Sequence, residues 1–168
     1  MKKVLIAAIF FTFIIHPTAW SQTSGKNQSK QSSQQKREAK DLFIESESRF
    51  NFDETVEKLK AETEKRKWKV IATHDLQESM KKSGKDVLPV KVIALCNPKY
   101  SGKVLERDDE RIISSMMPCR VSVYTKSNGK TYISRINSSL FANQLNGIAQ
   151  QVMSEASADM EDILKELI

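Results

Sequence analysis

Cys96 and Cys119 are the residues in this chain of 168 whose type and placement best suit chemistry, and they are its only cysteines. Three uses of the two thiols fit the sequence: a structural disulfide, two small buried side chains, or a reactive or metal-binding site. The disulfide is favoured, because the chain opens with an export signal and its cysteine count is even. A bridge would close a loop of about 24 residues and stabilise the fold by about 3 kcal/mol.

The two other uses depend on the neighbours of each thiol. Strand alternation places Cys119 on the same face as apolar Val121 and Val123, which favours burial. Cys96 directly precedes a predicted helix, whose N-terminal partial positive charge favours a thiolate. Arg120 adds positive charge next to Cys119 and is a secondary candidate for the site, although its side chain should point to the other face of the strand.

A metal site is the most specific form of the third use. Met116 and Met117 lie close to Cys119 in sequence and supply thioethers, and thiolates combined with thioethers suit Cu(I). The chain has no Cys-x-x-Cys motif, and the spacing of Cys96 and Cys119 matches no standard zinc site. The ligands of any metal would therefore be these four side chains.

The other residues give weaker signals for function. His74 is the only histidine after the first 21 residues, and an exposed or hydrogen-bonded histidine is the favoured interpretation. Asn97, between Cys96 and the predicted helix, is a helix cap and a secondary site candidate. The glycines form no phosphate-binding motif, and no Ser-His-Asp order stands out. We predict no catalytic residue and no cofactor, and a non-enzymatic binding or interaction module is favoured over thiol redox or Cu(I) handling.

Residues 1–21 match a signal peptide. Lys2 and Lys3 precede an uncharged apolar run at 4–15, and Ala19 and Ser21 occupy the −3 and −1 positions of a cleavage site. The run is shorter than the roughly 20 apolar residues that a spanning helix needs. We therefore expect cleavage after Ser21 and a periplasmic or secreted protein with no transmembrane span.

Residues 22–41 are rich in Ser, Gln and Lys, and this composition predicts a disordered polar linker before a single domain at 42–168. The formal net charge of the whole chain is +6. This charge favours an anionic partner only weakly, and no nucleic-acid-binding motif is present. The expected partner is an unknown ligand or protein of the cell envelope.

The domain alternates between strand and helix patterns. Strands are predicted at 42–50, 68–74, 89–96, 119–125 and 130–136. Helices are predicted after Asn51, after Asp75, from Asn97 to about Met116 with a break near 108–109, and twice at the end of the chain. Asn128-Gly129 predicts a hairpin with a type I′ turn. Together these elements predict a two-layer α+β fold with a single mostly antiparallel or mixed sheet and helices packed on it.

An ordered series of motifs resembles the domain of unknown function 302 family over roughly residues 45–164. The motifs are His74-Asp75-Leu76, Gly84-Lys85, Pro89-Val90-Lys91-Val92, Cys96-Asn97-Pro98-Lys99-Tyr100, Val104-Leu105-Glu106, Met117-Pro118-Cys119-Arg120-Val121 and Tyr124. The resemblance implies a compact α+β fold, often dimeric, with no established reaction. A thiol function would belong to an exported subgroup that carries both cysteines.

The last helix has a long apolar stripe, formed by Ile148, Val152, Met160, Ile163, Leu164 and Leu167. Such a stripe is denser than a chain end usually needs, so one small sheet does not have to cover all of it; the alternative is that the stripe is used entirely inside its own domain. We therefore predict a homodimer in which this helix or an edge strand meets its two-fold mate.

Overall fold

A computed structural model describes residues 41–168. The predicted signal peptide, and the predicted linker up to residue 40, lie outside the described residues. The strands are β1 Phe43–Glu47, β2 Lys69–Asp75, β3 Val90–Cys96, β4 Cys119–Thr125 and β5 Thr131–Ile136. The helices are α1 Phe52–Lys65, α2 Leu76–Lys82, α3 Pro98–Leu105, α4 Ser138–Ala142 and α5 Gly147–Leu164, with a 3-10 segment at Asp108–Met116.

The five strands form one sheet in the order β1-β5-β4-β3-β2. Every neighbouring pair is antiparallel, so β4 lies at the centre and β1 and β2 lie at the edges. Helices α1 and α5 contact each other, and α1 also contacts β2 and β4. The predicted two-layer α+β fold is confirmed, with a sheet that is entirely antiparallel.

The core lies between the sheet and the helices. In β4 and β5 the buried helix-facing side chains alternate with less buried ones, as the period of a strand requires, whereas β3 buries Ile93, Ala94 and Leu95 in succession. The apolar members of this face are completely buried: Ile93, Leu95, Val121, Val123 and Ile133. From the helix side, α1 adds Leu59 and α5 adds Ile163 and Leu164, which are equally buried.

Local sequence signals set the starts of three helices. The Asn51 side chain accepts a hydrogen bond from the Glu54 N–H at 3.0 Å, and Asp75 accepts one from the Glu78 N–H at 2.9 Å. Asn97 caps α3 in the same manner. Each cap satisfies a backbone donor that the helix leaves unpaired, so these starts were predictable from residue type.

One local prediction, the type of the hairpin turn, needs correction. Of Asn128 and Gly129, only Gly129 has a positive φ, of 77°, whereas a type I′ turn needs positive φ at both residues. The turn therefore belongs to the longer hairpin loops that use one left-handed glycine. The helical region from Asn97 to Met116 is broken as predicted, at 106–107, and its second part is a 3-10 segment.

The apolar stripe of the last helix packs inside its own domain. Met160 is 6% exposed, and Ile163, Leu164 and Leu167 are fully buried. The stripe therefore offers little free surface to a second copy, and the homodimer stays a prediction that needs another surface. Within residues 41–168, no helix is both long and apolar enough to cross a membrane.

Candidate functional site

The sheet brings the two cysteine-bearing strand ends together. Strands β3 and β4 pair along their length, and Leu95 lies directly opposite Cys119. Cys96 is the next residue after Leu95 and the last of β3. The two cysteine-bearing strand ends therefore lie side by side, as a disulfide or a shared metal site requires.

The orientation of the two thiols departs from simple alternation. Leu95 and Cys119 share the helix-facing side, so strict alternation would send Cys96 to the opposite face. Strand β3 ends at Cys96, however, and its thiol donates a hydrogen bond to Ser101 Oγ in α3 at 3.7 Å. Both cysteines are free thiols. The predicted disulfide is therefore not formed, although both side chains line the same cavity.

This cavity, which we call the sulfur pocket, has a volume of about 50 Å³. Its sulfur-bearing side chains come from β3, β4, the segment before β4 and α5: Cys96, Cys119, Met116, Met117 and Met153. The rest of its wall is mostly apolar and includes Trp68, Leu95 and Ile113. No carboxylate or imidazole lines it, so its metal-ligating side chains are almost all soft sulfur atoms.

The secondary candidates fall in three different places. Asn97 lines the sulfur pocket, but its side chain is engaged as the cap of α3. Arg120 lines an adjoining cavity. His74 is five residues along β2 from Lys69, the partner of Cys96, so it lies about 17 Å away at the other end of the strand. Within the described part of the chain, no three His, Cys, Asp or Glu side chains cluster as a metal site.

The electrostatics of the site do not favour a reactive thiolate at Cys119. Burial raises the pKa of the Cys119 thiol, and a charge on Cys96 would raise it further. The thiolate is the form that attacks a disulfide, so a raised pKa slows thiol exchange near neutral pH. A bound metal ion behaves differently, because it deprotonates its thiol ligands outright.

An acceptor in α5 fixes two aromatic side chains of the pocket wall. Asp159 Oδ2 accepts hydrogen bonds from the Tyr100 hydroxyl at 2.7 Å and from Trp68 Nε1 at 3.2 Å. The two rings lie 5.7 Å apart between centroids. Burial, then the hydrogen bond to Asp159 and its negative charge, raise the pKa of Tyr100 to about 12.

This pKa shift predicts an alkaline loss of stability that depends on Tyr100. A tyrosine whose pKa rises from 10.0 to about 12 on folding binds its proton more tightly in the folded state. Its contribution is therefore complete below pH 10 and is lost as the pH rises through 12. Two pKa units correspond to about 3 kcal/mol at most.

Tyr100→Phe should therefore be less stable than the wild type at pH 8, by about 2 kcal/mol for the lost hydrogen bond. The difference should shrink between pH 10 and 12, which urea unfolding at several pH values will measure. If the free energy of unfolding changed with pH by the same amount in the two proteins over that range, Tyr100 would not be the group responsible.

Sequence reasoning missed Met153, Trp68 and Tyr100 as parts of this site. Met153 lies 34 residues beyond Cys119 in the chain, and no spacing rule connects a helix residue to a strand end at that separation. The helical period of α5 was a usable signal, because it places Met153 beside buried Val152 and Ala156. The order in which helices pack on the sheet is what brings Met153 to the thiols.

Comparisons with known proteins agree with the fold. The family model described as "Domain of unknown function DUF302" matches residues 44–167. The crystal structure of an uncharacterized conserved protein DUF302 from Bacillus stearothermophilus is similar, with a TM-score of 0.67 at 19% sequence identity. The similarity covers 76% of this chain and 98% of that one, and at this identity it shows the fold alone. No curated protein matches the chain.

Proposed function

This chain belongs to the DUF302 family, a domain of unknown function, and from that premise we propose that it is a non-enzymatic binding module of the cell envelope that holds Cu(I) in the sulfur pocket. One observation carries the proposal: two thiols and three thioethers from separate segments line a single small cavity. Thiolate and thioether ligands are the set that selects Cu(I) among biological metals.

The size and polarity of the cavity support a metal ion over an organic ligand. A volume of about 50 Å³ exceeds what one water molecule needs but is far below the roughly 300–1,000 Å³ of typical small-molecule pockets. The absence of carboxylate and imidazole from its wall removes the ligands that hard or borderline divalent ions prefer. These two properties favour a soft monovalent cation.

Thiol redox exchange has less support as the role of the same residues. Exchange needs an accessible, deprotonated attacking thiol. Cys119 is partly buried, and its pKa is raised by that burial. Metal binding tolerates both conditions, since the ion provides the charge that stabilises the thiolate.

We place this module in the periplasm or outside the cell, released by cleavage after Ser21.

The positive charge of the chain supports a separate role for the linker. Seven of the 27 basic and one of the 21 acidic residues precede Asp41, so residues 41–168 carry 20 of each and no formal net charge. After cleavage the linker carries the remaining formal charge of +4, so any attraction to an anionic surface comes from the linker.

The predicted homodimer would use the edge strand β1 or β2.

Anaerobic competition with a chromophoric Cu(I) chelator tests the proposal on residues 22–168. We expect one Cu(I) per chain, with a change in the emission of Trp68, the only tryptophan after the signal peptide and part of the pocket wall. His74→Ala is the matched control and should bind Cu(I) as the wild type does. Failure to compete with the chelator, or loss of binding in His74→Ala, would contradict a sulfur-only site.

A further inference from the structure

A second cavity, of about 210 Å³, adjoins the sulfur pocket at the end of the sheet where β4 begins and β5 ends. The two cavities share a wall, and its sulfur-bearing residues are Met116, Met117, Cys119 and Met153. A further thioether, that of Met160, lines the second cavity but not the sulfur pocket. The wall between the second cavity and the thiols is therefore rich in sulfur.

Buried or hydrogen-bonded residues form the other sides of the sulfur pocket. Leu95 and Val152 are buried in the core between the sheet and α5. At the start of α3, Ser101 Oγ donates to the Asn97 carbonyl at 3.2 Å and accepts a hydrogen bond from the Cys96 thiol. These contacts hold that side in place, whereas the shared wall borders a larger cavity.

The mouth of the second cavity lies at Met116 and Ile136, which line it and are both exposed. Since Met116 also belongs to the shared wall, one thioether lies between solvent and the sulfur pocket. Met160 is buried and follows Met153 by two turns on the same face of α5, at a distance of about 10 Å along the helix. Thioethers therefore line the second cavity from its mouth to the wall that it shares with the sulfur pocket.

The two arginines near the second cavity do not oppose a cation. Arg135 pairs with Glu161 through two hydrogen bonds, one of them from Nε to Oε1 at 2.7 Å, so the pair is neutral. The strand register places Arg120 opposite Ala94, and its side chain therefore points to the face of the sheet away from the helices. Neither arginine presents an unbalanced positive charge to an ion in this cavity.

We propose that Cu(I) enters the sulfur pocket through the second cavity and that Met160 is a ligand of the ion in transit; this inference rests on the function proposed above. The ion first binds Met116 at the mouth, with Met160 as a second thioether, and then moves to Cys96 and Cys119. At each step a bond from copper to the next sulfur forms as the bond to the previous ligand breaks, so copper stays Cu(I) throughout. Thioethers suit this path because they are soft but uncharged ligands. The two thiols release their protons to water as the metal binds.

Stopped-flow transfer of Cu(I) from its chelator complex to residues 22–168 measures the rate of entry. Ser157→Phe adds a bulky ring at a residue that lines the second cavity but not the sulfur pocket. We expect loading to be about tenfold slower, which corresponds to about 1.4 kcal/mol in the barrier, with the final affinity unchanged. Ser154→Phe makes the same change at an exposed position of α5 outside both cavities and should load as fast as the wild type.

Met160→Leu tests the thioether itself, because it nearly conserves the volume of the side chain. Loading should be about fivefold slower, or about 1 kcal/mol in the barrier, because the ion in transit loses a ligand. The final affinity should stay at the wild-type value, since Met160 does not line the sulfur pocket. Met80→Leu, in α2 and outside both cavities, is the control and should change neither quantity.

The rates and the affinities together separate this route from the proposed function. Equal loading rates for Ser157→Phe and Ser154→Phe, at wild-type affinity, would overturn the route alone. A Met160→Leu variant that loads as fast as the wild type, or that binds the final ion more weakly, would overturn the transit role of Met160. A wild type that takes up no Cu(I) would overturn the proposed function and the route together.

Discussion

The double variant Cys96→Ala/Cys119→Ala should lose Cu(I) affinity by about a thousandfold or more. Each thiolate contributes at least as much as a hydrogen bond to a charged group, about 2 kcal/mol, and the two together about 4 kcal/mol. The remaining thioethers are neutral and leave the cation uncompensated in a mostly apolar cavity. Chelator competition under anaerobic conditions measures the change.

Single methionine variants separate a sulfur site from simple thiol binding. Met153→Leu keeps nearly the same volume and should cost about tenfold in Cu(I) affinity, because a thioether ligand is lost while the packing is kept. Met80→Leu makes the same change in α2, outside the pocket, and should have no effect. A double cysteine variant that binds Cu(I) as tightly as the wild type would refute the site, and an unchanged Met153→Leu would remove Met153 from it.

Ile163→Asp should unfold the domain. Ile163 is fully buried between α5 and the sheet, so the new carboxylate would have neither water nor a partner. The cost of such a burial is about 4–5 kcal/mol or more, which is comparable with the 5–15 kcal/mol that holds a typical domain together. Circular dichroism and urea unfolding will show the loss.

Lys165→Asp introduces the same residue at an exposed position of the same chain end. It should cost at most about 1 kcal/mol, through the helix dipole. Light scattering of both variants at micromolar concentration reports association. A folded monomer of Ile163→Asp, produced from a dimeric wild type, would move Ile163 from the core to an interface and contradict its buried position.

The parts of the fold that were predictable depend on local chemistry. Three helix starts were predictable, because a short polar side chain just before a helical pattern commonly caps the helix. The capping residues are Asn51, Asp75 and Asn97. Asn128-Gly129 between two strand patterns likewise predicted the hairpin that joins β4 and β5. The class of the fold therefore came from short-range signals.

The parts that were not predictable depend on contacts between distant segments. The contribution of Met153 to the sulfur pocket, and the pairing of Arg135 with Glu161, arise only when α5 packs on the sheet. The sequence predicts the apolar stripe of the last helix, but the expectation that the stripe serves a dimer contact is not supported, because the sheet and α1 bury it within the domain. The predicted export and the even number of cysteines favoured the disulfide. Neither observation indicates the direction of the Cys96 side chain at the end of β3, whose thiol donates to Ser101.

X-ray absorption at the copper edge of the Cu(I)-loaded protein tests the central claim most directly, because it identifies the atoms bound to the metal. We predict a first coordination shell of sulfur alone, at one copper per chain, that disappears in Cys96→Ala/Cys119→Ala. Nitrogen or oxygen atoms in that shell, or an unchanged spectrum in the double variant, would contradict the assignment of Cu(I) to the sulfur pocket.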